Sequence, residues 1–566
     1  MQRLEPLRLK GTGMKHNIIP LFIVLNILTM AALHIQVKEA ASQTLALGDS
    51  NKTSEMPSVP KLLRFGLDME NMKNKLDPHF ASESRDRAIA EMIFNRLIRY
   101  KPGSATQLEP DLAQSIPKPE IIYGKQVRIF TLRKGIMFHP GPETEPYEMT
   151  ADDVVWSLQR SANKVNPLYS GDYSGMTVEK DGDCSVRITL EKPMSPTLFN
   201  SRLATYPGGF IISRKAFETM GRKRFEMHPT GTGPFMVENF TPGGNISLKA
   251  NKQYFRGQPC LDGVEILSVP DIMERESFLK AGELDIIEGV PESRWVELME
   301  QYPNIVVDLQ GIGEVAMLHF NMSMEPLDDI RVRKAIAYAL DRNVFLKCFG
   351  GRVARNIYAP VPADILIGGL EKKKVDILKL EYATDLGKAR QLLEKAGYPE
   401  GFPLEFVTSG NPVYHSYYES IKAQLAQIGI DCKLKIVRHA AMHTLIRWNK
   451  NPIVVYIAWR PDADAILTRF FHSDSTVMTG DRPEVNFSHY DKADKLIETA
   501  RLETDTERQI RLWGYAQIKI LDHIAAYPIH YLNPVHARRS SVDYGHELGQ
   551  LAIYPHITEK TDIRGQ

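Results

Sequence analysis

The chain has 566 residues, 43% hydrophobic and 25% charged, and its 70 Lys and Arg nearly balance 69 Asp and Glu, for a net charge of +1. That length needs more than one hydrophobic core, and near-neutrality without a long basic block argues against a nucleic-acid-binding surface. The four cysteines, Cys184, Cys260, Cys348 and Cys432, are far apart with no C-x-x-C, so neither a zinc knuckle nor a redox motif is supported.

From Met14 the chain reads as a secretory signal peptide over 14–42: Lys15, an apolar run through Ile35, then the small residues Ala40, Ala41 and Ser42. The alternative is an uncleaved membrane anchor, which Asn26 and His34 inside the run weaken. No cysteine follows the run, which disfavours a lipoprotein anchor. Residues 43–60 are polar and turn-rich, a flexible leader. Beyond them no apolar run is long enough to span a bilayer, so a protein soluble outside the cytoplasmic membrane is expected.

The folded part opens with a strand over 61–70 and a loop, LDPHFASESRDR, before a predicted helix over 88–100. KQVRIFTLRKGIMFHPG alternates as a strand ending at Gly135. MTADDVVWSLQR is a helix with Thr150 as N-cap and Asp152 and Asp153 in its first turn. CSVRITLEKP is a strand, and 228–255 reads as a glycine turn followed by a hairpin, with Gly231 and Gly233 in the tight turn. Strand, helix and short strand follow over 264–291, then a strand at 316–322 and an amphipathic helical region over 327–349. A helix over 385–401 is closed by Gly397. PLEFVTSG is a strand, HSYYESIKAQLAQIGIDCKLKIV a helix and a strand, and IVVYIAW a buried strand. Two helices and a last strand, AYPIHYLNPVHARR, complete the chain. The alternation predicts an α/β protein with more than one lobe.

At the mouth of the IVVYIAW strand stands AWRPDADAIL, residues 458–467, with an aromatic, an arginine and two carboxylates close together. From the residues alone these are catalytic acids, metal ligands, a binding clamp or a polar loop. Asp462 and Asp464 both precede an apolar helical run, where an aspartate caps well; Asp464 is assigned that capping role.

IFTLRKGIMFHPG followed by TADDVVWSLQR resembles the signature region of the family 5 extracytoplasmic solute-binding proteins, the receptors of peptide, opine and nickel ABC importers. PTGTGPFMVENFTPGGNISLKANKQYF, LKAGELDII, HFNMSMEPLDDIRVRKAIAYALDRN, KARQLLEKAGYPEG and ARLETDTERQIRLWGYAQIKI resemble further segments, in the family's order, so the likeness spans residues 61–566. It implies a two-lobed periplasmic-binding-protein-like clamp, type II with an extra domain: domain I from 61–100, 226–318 and 525–566, domain II from 101–225, and domain III from 319–524. It also implies a periplasmic receptor, expected as a monomer, that captures a peptide or peptide-like solute, closes around it, and delivers it to the membrane subunits of an ABC permease. No cofactor, resident metal or nucleic acid is implied.

In peptide-binding members a W-x-x-D segment at a domain III strand end supplies the carboxylate for the ligand's α-ammonium group. By resemblance this is Asp462, with Trp459 as an apolar wall or as packing behind the loop. Arg460 either grips an anionic ligand group or pairs with a neighbouring aspartate. Dipeptide-binding members carry an arginine in the loop after the strand that matches PLEFV; here TSGNPVYHSYY, which includes Tyr414, has none, which puts recognition of a ligand carboxylate at that point in doubt. Ser82 and Glu83 lie where members line the cleft from domain I. Opine, sugar-conjugate and haem ligands stay open within the resemblance; nickel is disfavoured because that branch lacks the Asp462 equivalent.

An enzyme reading has one foothold. Ser277 to Lys280 fits S-x-x-K and 409–411 fits S-x-N, but no K-T-G follows as a penicillin-binding-type hydrolase requires. The test is whether Ser277 and Ser409 come together.

Overall fold

The computed structural model describes residues 60–69, 75–81, 83–104, 107–163, 170–309, 311, 313–549 and 553–565. The expected signal peptide, the leader up to its last residue, and Ser82 lie outside these. Among the described residues no helix is long and apolar enough to cross a membrane.

Two large sheets organise the chain. The first has seven strands in the order Phe235–Phe240, Ile246–Ala250, Gly263–Ser268, Leu62–Leu67, Ile286–Glu288, Val535–Arg539 and Ile305–Leu309. Leu62–Leu67 pairs parallel with both neighbours, and the remaining pairs are antiparallel. The second sheet, antiparallel throughout, has four strands in the order Ala354–Asn356, Ala526–Leu532, Glu314–Phe320 and Ile453–Ala458. A smaller antiparallel sheet holds Lys125–Thr131 and Ser185–Leu190 beside Met176–Lys180 and Glu120–Ile122. Pro403–Ser409 and Asp431–Val437 form a parallel pair.

Sequence and structure agree where local signals are strong. Ala151–Ala162 is helical, and Asp153 accepts the backbone N–H of Thr150 at 3.0 Å in a capping box. Leu386–Ala396 ends at Gly397 with φ of 95°, a left-handed C-cap. Elsewhere tertiary partners redraw the boundaries. The helix expected over 88–100 is Ser84–Ile93; the chain then turns extended, because Asn95–Arg96 pairs with Phe210–Ile211 and Ile98–Tyr100 with Leu108–Pro110. The region 327–349 is two helices, Ile330–Ala339 and Arg342–Phe349, the second capped by Asp341. The single strand expected at AYPIHYLNPVHARR is two strands in different sheets, the change falling between Leu532 and Val535.

Gly231 and Gly233 prove to be close-approach residues rather than left-handed turn residues. A Cβ at either would lie within 2.9 Å of the Ile93 backbone, and Gly233 N–H donates to the Ile93 carbonyl at 2.8 Å. Their lack of a side chain lets the hairpin seat on the end of helix Ser84–Ile93.

Candidate functional site

Ile453–Ala458 is an edge strand of the second sheet, yet almost wholly buried. Helix Pro412–Leu425 covers it, and the Tyr418 hydroxyl accepts the N–H of Val455 at 3.1 Å, satisfying a group an open edge would leave to solvent. The chain emerges from this strand at Trp459 and enters helix Ala463–Phe471.

Asp462 is the N-cap of that helix. Its Oδ1 accepts the Ala465 N–H at 2.8 Å, and its Oδ2 accepts the hydroxyl of Ser201, on helix Pro196–Ala204, at 2.7 Å. The residue is only 8% exposed and makes no ion pair among the described residues. Burial, followed by the charge of Asp464, pushes its carboxyl up from 3.8 to about 6. The capping role expected of Asp464 therefore belongs to Asp462. Asp464 sits in the first turn and pairs instead with Arg501 at 3.3 Å.

Trp459 is buried with one face toward the opposite wall, where the Arg87 guanidinium carbon stands 4.1 Å from its ring centroid. Arg460 makes no ion pair with Asp462 or Asp464. Its Nη1 donates to the Trp459 carbonyl at 2.7 Å, its guanidinium lies 5.0 Å from the Phe470 ring centroid, and its Nε is buried without a hydrogen-bond partner among the described residues.

Between Trp459 and the helix Ser84–Ile93 lies a cleft walled by Arg87, Glu91, Arg96, Tyr100, Thr205, Tyr554 and His556. Its charges are mixed. Burial alone would raise the Glu91 carboxyl, but His556 at 2.7 Å and Arg96 at 3.3 Å outweigh that and hold it down to about 2. The Tyr100 phenol is pushed up to about 12 by burial and then by Asp462. Several polar atoms of the lining are buried without a partner among the described residues: Nε1 of Trp459, Oγ1 of Thr205, and Nε and Nη2 of Arg96. Unsatisfied buried donors are costly, so a bound molecule offering acceptors there has more to gain than on open surface.

Of the sequence-predicted residues that are described, Trp459 belongs to this lining, whereas Asp462, Arg460, Glu83 and Tyr414 do not. Glu83 is exposed at the start of helix Ser84–Ile93 and pairs with Arg85 at 3.1 Å. Tyr414 is buried against His439 and His443. The sequence reading missed Arg87, Arg96, Thr205 and Ser201. Arg87 follows the cleft-side loop by one residue, the single signal available for any of them.

No nucleophile–base arrangement links the serines of the enzyme reading. The Ser277 hydroxyl donates to the Met273 carbonyl one turn back at 2.9 Å, Lys280 pairs with Glu276 at 3.2 Å, and Ser409 meets His439 at 3.1 Å.

Comparison with known proteins places this geometry. Residues 107–477 match the family model for bacterial extracellular solute-binding proteins, family 5. The dipeptide-binding protein of Escherichia coli K12 is 26% identical over 476 residues, covering 79% of this chain and 85% of the relative. Heme-binding protein A of Haemophilus influenzae is 28% identical over 473 residues, covering 78% and 82%. Among solved structures, MoaA of A. tumefaciens R10 in complex with mannopinic acid is 36% identical with a TM-score of 0.78, covering 89% of this chain and 100% of that one. The periplasmic binding protein DppA of Helicobacter pylori with the peptide STSA is 25% identical with a TM-score of 0.74, covering 89% and 98%. The chain belongs to the family 5 bacterial extracellular solute-binding proteins, has their two-lobed α/β periplasmic-binding fold, and is a substrate-binding receptor of an ABC importer.

Proposed function

We propose that this receptor captures a short peptide or peptide-like amino-acid derivative, pairing the ligand's amine with Asp462. The observation that carries this reading is the buried Asp462 carboxylate, which makes no ion pair among the described residues. A buried carboxylate without an ion pair is costly until a cation meets it, so it selects for amines. Trp459 supplies the apolar wall. The unpaired donors of Trp459, Thr205 and Arg96 suit the oxygen atoms of the rest of the ligand.

One observation favours an opine as second reading: residues 408–418 hold no arginine for a peptide carboxylate, whereas guanidinium groups line the opposite wall at Arg87 and Arg96. An opine of the mannopinic type joins an amine to carboxylates and hydroxyls, and the 36% identical MoaA complex holds such a molecule.

The clamp divides into three domains, domain I around the seven-stranded sheet, domain II around the small antiparallel sheet and domain III around the four-stranded sheet. The chain crosses between the two large sheets after Leu309 and after Leu532. There a Cβ on Gly313 would strike the Leu532 carbonyl, so the two crossings run side by side, as a hinge requires. Closure is stabilised by contacts with both lobes that the open form lacks. The receptor works as an exported periplasmic monomer after signal cleavage, docks on a membrane permease, and catalyses no reaction.

The test is thermal-shift screening of residues 61–566 against di- and tripeptides, mannopinic acid and Ni²⁺, with Asp462→Ala alongside. Ligand at a hundredfold excess over Kd stabilises by about 2.7 kcal/mol. Stabilisation by an amine-bearing ligand that vanishes in the variant supports the reading; stabilisation by an amine-free ligand, unchanged in the variant, refutes the site.

A further inference from the structure

A helix that the sequence reading did not expect, His439–Arg447, sets His439 and His443 one turn apart on the same face. Their Nε2 atoms lie 3.2 Å from each other, with the rings at 84°. Two features hold this arrangement. The Ser409 hydroxyl is 3.1 Å from Nδ1 of His439 and also accepts the Asn411 N–H at 3.2 Å. The Tyr414 ring packs on both imidazoles, with centroids at 5.2 and 5.7 Å. His439 is exposed and His443 half-buried, so the facing nitrogens are reachable from solvent.

We propose that His439 and His443 form a two-imidazole site for a divalent transition-metal ion, Cu²⁺ ahead of Ni²⁺ and Zn²⁺. An ion about 2.0–2.1 Å from each nitrogen, with the nitrogens 3.2 Å apart, subtends an angle of about 100°. That lies between square-planar and tetrahedral geometry, and imidazole donors suit Cu²⁺, Ni²⁺ and Zn²⁺, with Cu²⁺ bound most tightly. In the bound form Nδ1–H of His439 donates to Ser409, which fixes the tautomer and presents Nε2 to the ion. Among the described residues no group of three or more His, Cys, Asp or Glu gathers around a metal position. The remaining coordination positions therefore fall to water or to donor atoms of a bound solute. The site shares no residue with the Asp462–Trp459 mouth and does not depend on the ligand assigned there.

The experiment titrates Cu²⁺ into the full chain, prepared without a histidine tag and stripped with chelator, by calorimetry and electron paramagnetic resonance. The proposal expects one tight equivalent whose spectrum carries the splitting of two imidazole nitrogens. His439→Gln, at an exposed position that leaves the fold intact, weakens binding at least tenfold and removes one nitrogen from the spectrum. His443→Gln does the same, with circular dichroism reporting its fold, and Ser409→Ala weakens binding several-fold. No binding to the wild type, or affinity and nitrogen splitting unchanged in His439→Gln, overturns the proposal.

Discussion

Ser201 and Asp462, 261 positions apart, are joined by a hydrogen bond of 2.7 Å from the serine hydroxyl to the buried carboxylate. The bond ties the wall that carries helix Pro196–Ala204 to the mouth of strand Ile453–Ala458. One carboxylate thus caps a helix and ties together two segments far apart in the chain, and in the proposed reading it also takes the ligand's amine.

Ser201→Ala leaves one buried carboxylate oxygen without its donor. Hydrogen bonds to charged groups contribute about 1.5–3 kcal/mol, and the ligand-free variant should lose stability in that range. Urea denaturation at pH 7.5 measures it. An unchanged midpoint would show that the ligand-free protein in solution holds the two walls apart.

Asp462→Asn should stabilise the ligand-free protein while removing its response to amines. The folded carboxyl titrates near about 6 against 3.8 ordinarily, so between those values the folded state holds a proton the unfolded state has lost. Wild-type stability therefore falls as pH rises through that window, and the deficit is complete above it. By linkage this amounts to at most about 3 kcal/mol. Asparagine keeps the cap without the charge. Melting temperatures of the two proteins should diverge at pH 7.5 and converge near pH 4; a less stable variant at pH 7.5 would contradict the burial argument.

Ligand affinity should carry the same titration. An amine prefers the ionised carboxylate, so affinity stays flat above about pH 6 and drops roughly tenfold per pH unit below it. Calorimetry at pH 5 and pH 7.5 with the best amine-bearing ligand from the screen decides this. Equal affinity at both would mean that the amine is held elsewhere.

Trp459 is one of five tryptophans and lines the cleft. Trp459→Phe keeps the apolar wall and the platform for Arg87 but deletes the unpaired Nε1–H. The loss should weaken binding by about 1 kcal/mol and abolish most of the ligand-induced change in tryptophan fluorescence. Full retention of both would assign Trp459 to packing alone.

The residues by themselves determined the α/β class, the ordered family segments and the elements whose signals are local. Thr150 and Asp153 start one helix, Gly397 stops another, and Trp459 and Asp462 stand together at a strand end within four positions. Such signals depend on neighbours in sequence and need no distant partner. Tertiary structure decided the rest. The apolar run after Ile93 becomes two short strands because partners at 108–110 and 210–211 claim it, and AYPIHYLNPVHARR splits because two sheets compete for its backbone. Ser201 and Arg87 meet the strand mouth only after folding, and the raised titration of Asp462 follows from burial by segments hundreds of residues away. Desolvation and long-range hydrogen bonding depend on the packed interior, which short-range sequence patterns do not encode.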